Sequence, residues 1–193
     1  MLVTTSETQQ RIIDAYFRII QENPDTKKVT LGMVAEKAGM RRESVYRYHF
    51  KNIEEIRDRI HYLIDGGLEK EVLDFVDGKT FDINSFIATK LLPLLYEKRA
   101  WLKVMYSTDV DAEWESFLLK KYIPIITKYL ELIGREDIIP NKFLAEVAVK
   151  EILALISTWL TDEQPEPASL FKEKFLHVFH YSPYDILTNP NQK

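Results

Sequence analysis

Between residues 41 and 51 the chain reads "RRESVYRYHFK". Arg41, Arg42, Arg47 and Lys51 supply cations, and Glu43, Ser44, Tyr46, Tyr48 and His49 set hydrogen-bonding tips among them. A guanidinium is a planar fork that fits two acceptors on a base edge or a phosphate, and hydroxyl and imidazole groups bond phosphate oxygens. Such a segment has the chemistry to grip a polyanion. A solvated basic face is the plainer reading of any charge run. Here the surroundings argue for more. The whole chain carries a formal charge of −4, yet positions 27 to 51 hold seven bases against Glu36 and Glu43. A local basic footprint in an acidic protein points to a polyanionic partner at one end only.

The elements that must hold this segment are short helices. Ile13, Tyr16, Phe17 and Ile20 recur at helical spacing and predict a helix over about 6 to 22, stopped before Pro24. Thr30 is a good N-cap for a second helix with Met33, Val34 and Ala38 facing inward, and Gly39 suits the turn that ends it. A third begins within three residues, at Arg41 and Arg42. Two short helices joined at "AGM" make a helix-turn-helix, whose second member lies in the major groove of DNA. A fourth, long helix follows, with Ile53, Ile56, Ile60, Leu63 and Ile64 on one face, a weak point at Gly66 and Gly67, and a break at "VDGKTFD".

The wider string resembles the N-terminal domain of the TetR family of transcriptional regulators. Thr30, Val34, Ala35, Ala38, Gly39 and Met40 match the first part of that family's pattern. Tyr46, His49, Phe50, Lys51, Asn52, Glu54, Glu55 and Ile56 match the second. The match covers about residues 6 to 60. It departs at Arg41, where the family has a capping Ser, at Tyr48, an apparent insertion, and at Ile53, which stands for a Lys. The resemblance implies an N-terminal DNA-binding domain over 1–50. It also implies an effector-binding and dimerisation domain over 51–193. Thr30, Arg41, Arg42, Glu43, Ser44, Tyr46, Arg47, Tyr48, His49 and Lys51 then become the DNA-binding set.

Beyond residue 82 every apolar pattern is helical, with breaks near 109, 134–140 and 162–167, so the expected fold is all-α with about nine helices. Pro93 and Pro124 fall inside patterns and are expected to kink or split them. Phe86, Tyr96, Trp101, Met105, Tyr106, Trp114 and Phe117 concentrate on the middle helices and predict a cavity for a small apolar or aromatic effector. The last two patterns are apolar around more than one face. Val147, Ala148, Ile152, Leu155, Ile156, Trp159, Phe171, Phe175 and Val178 are the predicted homodimer interface, a four-helix bundle that would place two recognition helices on a near-palindromic operator.

Other chemistries find less support. With no cysteine there is no thiolate site, no disulfide and no cysteine nucleophile. The acids Asp109, Asp111, Glu113 and Glu115 read as dipole complements of a helix's first turn, and His177 with His180 lacks further zinc ligands. No nucleophile elbow, phosphate-cradling glycine loop or zincin string occurs. The sequence is therefore expected to encode a repressor rather than an enzyme, with no cofactor or metal. Without a signal-like start or a membrane-length apolar run, a cytoplasmic setting is expected. An adaptor of the same fold, controlled by a protein partner in place of a small molecule, is the alternative.

Overall fold

The structure, a computed structural model, describes residues 5–78, 82–135, 138–181 and 187–188. All regular elements among them are helical, as expected. In order they are α1 Glu7–Glu22, α2 Leu31–Lys37, α3 Arg42–Tyr48, α4 Ile53–Asp77, α5 Ile83–Phe86 and α6 Leu92–Glu97, the last two joined by a π turn over Ile87–Leu91. Then come α7 Arg99–Ser107, a 3₁₀ turn over Asp109–Asp111, α8 Trp114–Leu132, α9 Asn141–Thr161 and α10 Ala168–His180. Because α5, the π turn and α6 are continuous, the described residues form nine helical rods.

The first three helices assemble for local reasons. Ser6 and Gln9 exchange hydrogen bonds as a capping box at the start of α1, whose Ile12, Ile13, Tyr16 and Ile20 are fully buried. Thr30 Oγ1 accepts the Met33 N–H at 3.3 Å, capping α2 as expected. Met33 itself points outward, contrary to expectation. Leu31, Val34, Ala35 and Ala38 already fill the i, i+3, i+4, i+7 stripe of this short helix, and position 33 lies off that face. Gly39 adopts φ +67°, a left-handed turn that favours glycine, and the Met40 N–H returns to the Ala35 carbonyl at 2.9 Å. Arg41 provides α3 with no side-chain cap, as its replacement of Ser implies.

In α4 the expected weak point at Gly66 and Gly67 is absent. The helix runs through both glycines because Ile64, Asp65, Leu68 and Val72 are buried on either side, and tertiary packing outweighs propensity. Gly78 then ends it. Pro124 lies within the single helix α8, so it does not split it. Pro93 sits just inside α6, directly after the π turn, where the register shifts and the Leu92 N–H bonds the Ile87 carbonyl.

One apolar cluster runs from Ile12 in α1 to Phe175 in α10. The first helices are joined to the remainder where Phe17 of α1 stacks on Trp101 of α7, ring centres 5.0 Å apart and planes 14° from parallel. A smaller cluster around Phe75, Tyr129, Leu130 and Ala145 closes the far end of α4 against α8 and α9.

Candidate nucleic-acid interface and effector cavity

Helix α3 buries only Val45, which with Phe50 anchors it to α1 and α2. Apart from half-buried Ser44, everything else on it that could do chemistry faces solvent. Arg41, Arg42, Glu43, Arg47 and Lys51 are exposed, and Tyr46 and Tyr48 stand out at 57% and 74% exposure. Rings left this exposed contribute little to folding by burial. Ser44 and His49 are half-buried, and Thr30 is exposed at the start of α2 with its hydroxyl spent on the cap. Nine of the ten predicted residues therefore lie on one stretch, and Thr30, outside it, adds structure more than reach. Lys51 is positioned from behind: its backbone N–H donates to Glu55 Oε2 at 2.8 Å, while Asn52 caps α4 through the Glu55 N–H. The nearby Lys37 is engaged by Glu22.

Helix α4 starts beside this surface and ends in a cavity of about 100 Å³. Leu68, Val72 and Phe75 of α4 form one wall, and Ile83, Phe86, Ile87 and Leu91 from α5 and the π turn form another. Leu95, Tyr106, Trp114, Leu118, Tyr122 and Ile126 continue the lining, and α9 closes it with Val149, Ile152, Leu153 and Ile156.

The cavity sits where the middle aromatics predict it, with a different membership. Phe86, Tyr106 and Trp114 line it. Tyr96, Trp101, Met105 and Phe117 do not. Tyr96 stacks on Trp159 and donates its hydroxyl to the Pro165 carbonyl at 3.3 Å, and Trp101 is taken by Phe17. Met105 is plain core, and Phe117 packs on His61 and Trp114. Aromatic density marked the region but not the wall, which is mostly branched aliphatic. The long apolar faces of α4 and α9 were the available signal for the missing residues.

The predicted dimer face also needs redrawing. Ile152 and Ile156 line the cavity, and Trp159 and Phe175 are buried inside the protomer. Trp159 donates its indole N–H to the Glu166 carbonyl at 2.9 Å and lies flat on Phe171, ring centres 4.4 Å apart, which pins the α9–α10 connection. Ala148, Leu155, Phe171 and Val178 are half-buried, and Val147 is the one exposed member of the set. Among the large apolar groups left in solvent are Phe143 at 61% and Val147 on one side of α9, Ile138 and Ile139 just before it, and Leu170 on α10. The extra apolar face of α9 is explained by its position between α7, α8 and the cavity.

Between the cavity and the exposed face of α3, α4 is held by two buried polar contacts. His61 Nε2 donates to Asp111 Oδ2 at 2.7 Å, both side chains almost wholly buried. One turn on, fully buried Asp65 accepts from the Lys121 ammonium and, at 2.5 Å, from the Tyr122 hydroxyl. Lys121 also pairs with Glu69 at 2.8 Å. Burial first, then the Asp65 carboxylate, pushes the Tyr122 phenol far up, so it stays a hydroxyl. Lys121 is also raised: burial acts against its charge, and the bonds to Asp65 and Glu69 outweigh it. Asp111 thus serves the fold, bonding His61 rather than gathering the neighbouring acids. His180 turns Nδ1 to the Leu176 carbonyl, and His177 lies against Tyr181.

No protein-family model matches the chain, and no curated protein matches it in sequence. No helix among the described residues is long and apolar enough to cross a membrane.

Proposed function

We propose that this protein is a DNA-binding transcriptional regulator of the TetR type, acting as a homodimeric repressor on a near-palindromic operator and releasing it when an apolar effector fills the cavity. The observation that carries the reading is the recognition segment: a helix that buries one side chain and presents Arg42, Tyr46, Arg47 and Tyr48 to solvent, flanked by Arg41 and Lys51. A basic helix with exposed aromatic rings, mounted on a capped helix and a glycine turn, has the shape and charge to enter a major groove.

Helix α4 supplies the coupling. Its first turns pack with the DNA-binding helices through Ile56 and Ile60, its middle is bonded to α8, and its last turns wall the cavity. A ligand that wedges the wall moves the same rod that sets α3. The shift can be no larger than the ligand's preference for one state over the other.

Operator fragments retained from upstream DNA test the reading by their salt dependence. Each phosphate neutralised adds about 0.9 to the slope of log affinity against log salt. Lys51→Ala should lower the slope by about that amount. An unchanged slope removes Lys51 from the contact set.

A further inference from the structure

Resting on the reading of α3 as a DNA-recognition helix, its outermost face specifies which bases it reads. Successive side chains on a helix turn by about 100°, so Val45, the one buried residue of α3, fixes where the others point. Glu43 and Arg47 lie two residues to either side of it, each about 160° away around the helix, and bracket the point farthest from the core. Both are exposed. Arg42 and Tyr46 fall on one flank and Ser44 and Tyr48 on the other, nearer the phosphate walls of any groove that admits the helix.

The outermost pair is of opposite charge. An acid four residues before a base is the spacing that closes ion pairs on helices, as Glu146 and Lys150 do at 2.6 Å in α9. Glu43 and Arg47 make no such bond among the described residues, so carboxylate and guanidinium both stand open to a partner. A carboxylate at the most protruding place of a basic helix needs a reason. Between walls of phosphate it costs affinity for every sequence unless a donor meets it. Glu43 also lies in the first turn of α3, where an acid suits the helix dipole, but positions 42 and 44 would serve that purpose as well.

The base edges of the major groove offer two donors, the amines of cytosine and adenine. Adenine carries an acceptor beside its amine, which repels a carboxylate, whereas the cytosine ring does not. The Arg47 fork fits the two acceptors of guanine. Four residues advance about 6 Å along the helix, against about 3.4 Å for each base pair, so the two side chains reach bases within about two steps of each other.

We infer that Glu43 and Arg47 determine the sequence specificity of α3, Glu43 accepting from a cytosine N4 amine and Arg47 donating to guanine N7 and O6 within two base-pair steps of it.

Selection from a random duplex library with wild type and Glu43→Gln tests this. The wild-type motif should hold such a cytosine and guanine in each half-site. A glutamine amide both donates and accepts and fits adenine N6 and N7, so Glu43→Gln should exchange that cytosine for adenine and leave the rest of the motif in place. On defined duplexes, changing the cytosine to thymine should cost wild type about tenfold in affinity and cost Glu43→Ala almost nothing. A purely structural role for Glu43 would lower the thermal midpoint of both variants and leave the chosen bases unchanged. The wild-type motif and the duplex measurement decide the matter even if Glu43→Gln does not fold. Retention of the same cytosine by Glu43→Gln, equal sensitivity of wild type and Glu43→Ala to its loss, or a wild-type motif without it overturns the inference and leaves the regulator reading standing. A folded wild type that enriches no motif defeats both.

Discussion

Lys121→Met should cost about 3–5 kcal/mol of folding free energy at neutral pH, because it leaves the fully buried Asp65 carboxylate with the Tyr122 hydroxyl as its remaining partner among these groups. Replacing both members together should be far milder. Asp65→Leu with Lys121→Met removes the charge and its counterion at once, and such swaps are often close to neutral. Chemical denaturation of wild type, both single variants and the double variant completes the cycle, and the expected coupling is about 3 kcal/mol or more. The pH profile gives a second check. Lys121 and Tyr122 both bind their protons more tightly folded than unfolded, so their stabilisation is fully present below the unfolded values of about 10 and is lost as pH rises through the folded ones. Wild type should therefore weaken steeply above pH ~10, and the double variant should lack the Lys121 part of that loss. Additive single substitutions would show that α4 and α8 are not tied at this point. The proposed lever would then lose its fulcrum.

Trp159→Asp should unfold the protomer rather than merely separate a dimer. The ring is buried between Tyr96 and Phe171, and its N–H holds the Glu166 carbonyl, so the substitution combines a cavity with an unpaired buried carboxylate. A loss above about 4 kcal/mol is expected. Phe143→Asp should behave oppositely, since its side chain is exposed at the start of α9. It should keep the helical signal and thermal midpoint of the isolated protomer while moving sedimentation at micromolar concentration from dimer to monomer. If Trp159→Asp stays folded and monomeric, the interface lies nearer the buried face than this geometry allows. If Phe143→Asp stays dimeric, the pairing surface excludes the start of α9.

What could be read from the sequence follows from how locally each feature is encoded. The caps at Thr30 and the turn at Gly39 are settled within a few residues by hydrogen bonds and a φ sign, and both stand where the residue types put them. The exposure of the basic face of α3 was legible for the same reason, because charge and period on a two-turn helix leave few arrangements. Met33 shows the limit even there: on a short helix one residue of phase decides between core and solvent. Trp101, Ile152 and Trp159 illustrate the larger gap. Apolar periodicity says that a side chain is buried, not what buries it. Whether Ile152 meets a second copy or an internal cavity depends on how α9 is seated against α8, which no local pattern records. The polar contacts of α4 were hidden for a related reason. Asp65 and Lys121 are far apart in the chain, and each alone reads as a surface charge.

The central claim is that α3 reads duplex DNA, and selection from a random duplex library tests it most directly. Wild-type protein should enrich an inverted repeat whose half-sites lie about one helical turn apart, with retention falling steeply between low and moderate salt. Arg42→Ala with Arg47→Ala should abolish the enrichment without lowering the thermal midpoint, since both side chains are exposed. Failure of the folded wild-type protein to enrich any sequence at low salt, or enrichment that survives the loss of both arginines, would contradict the account.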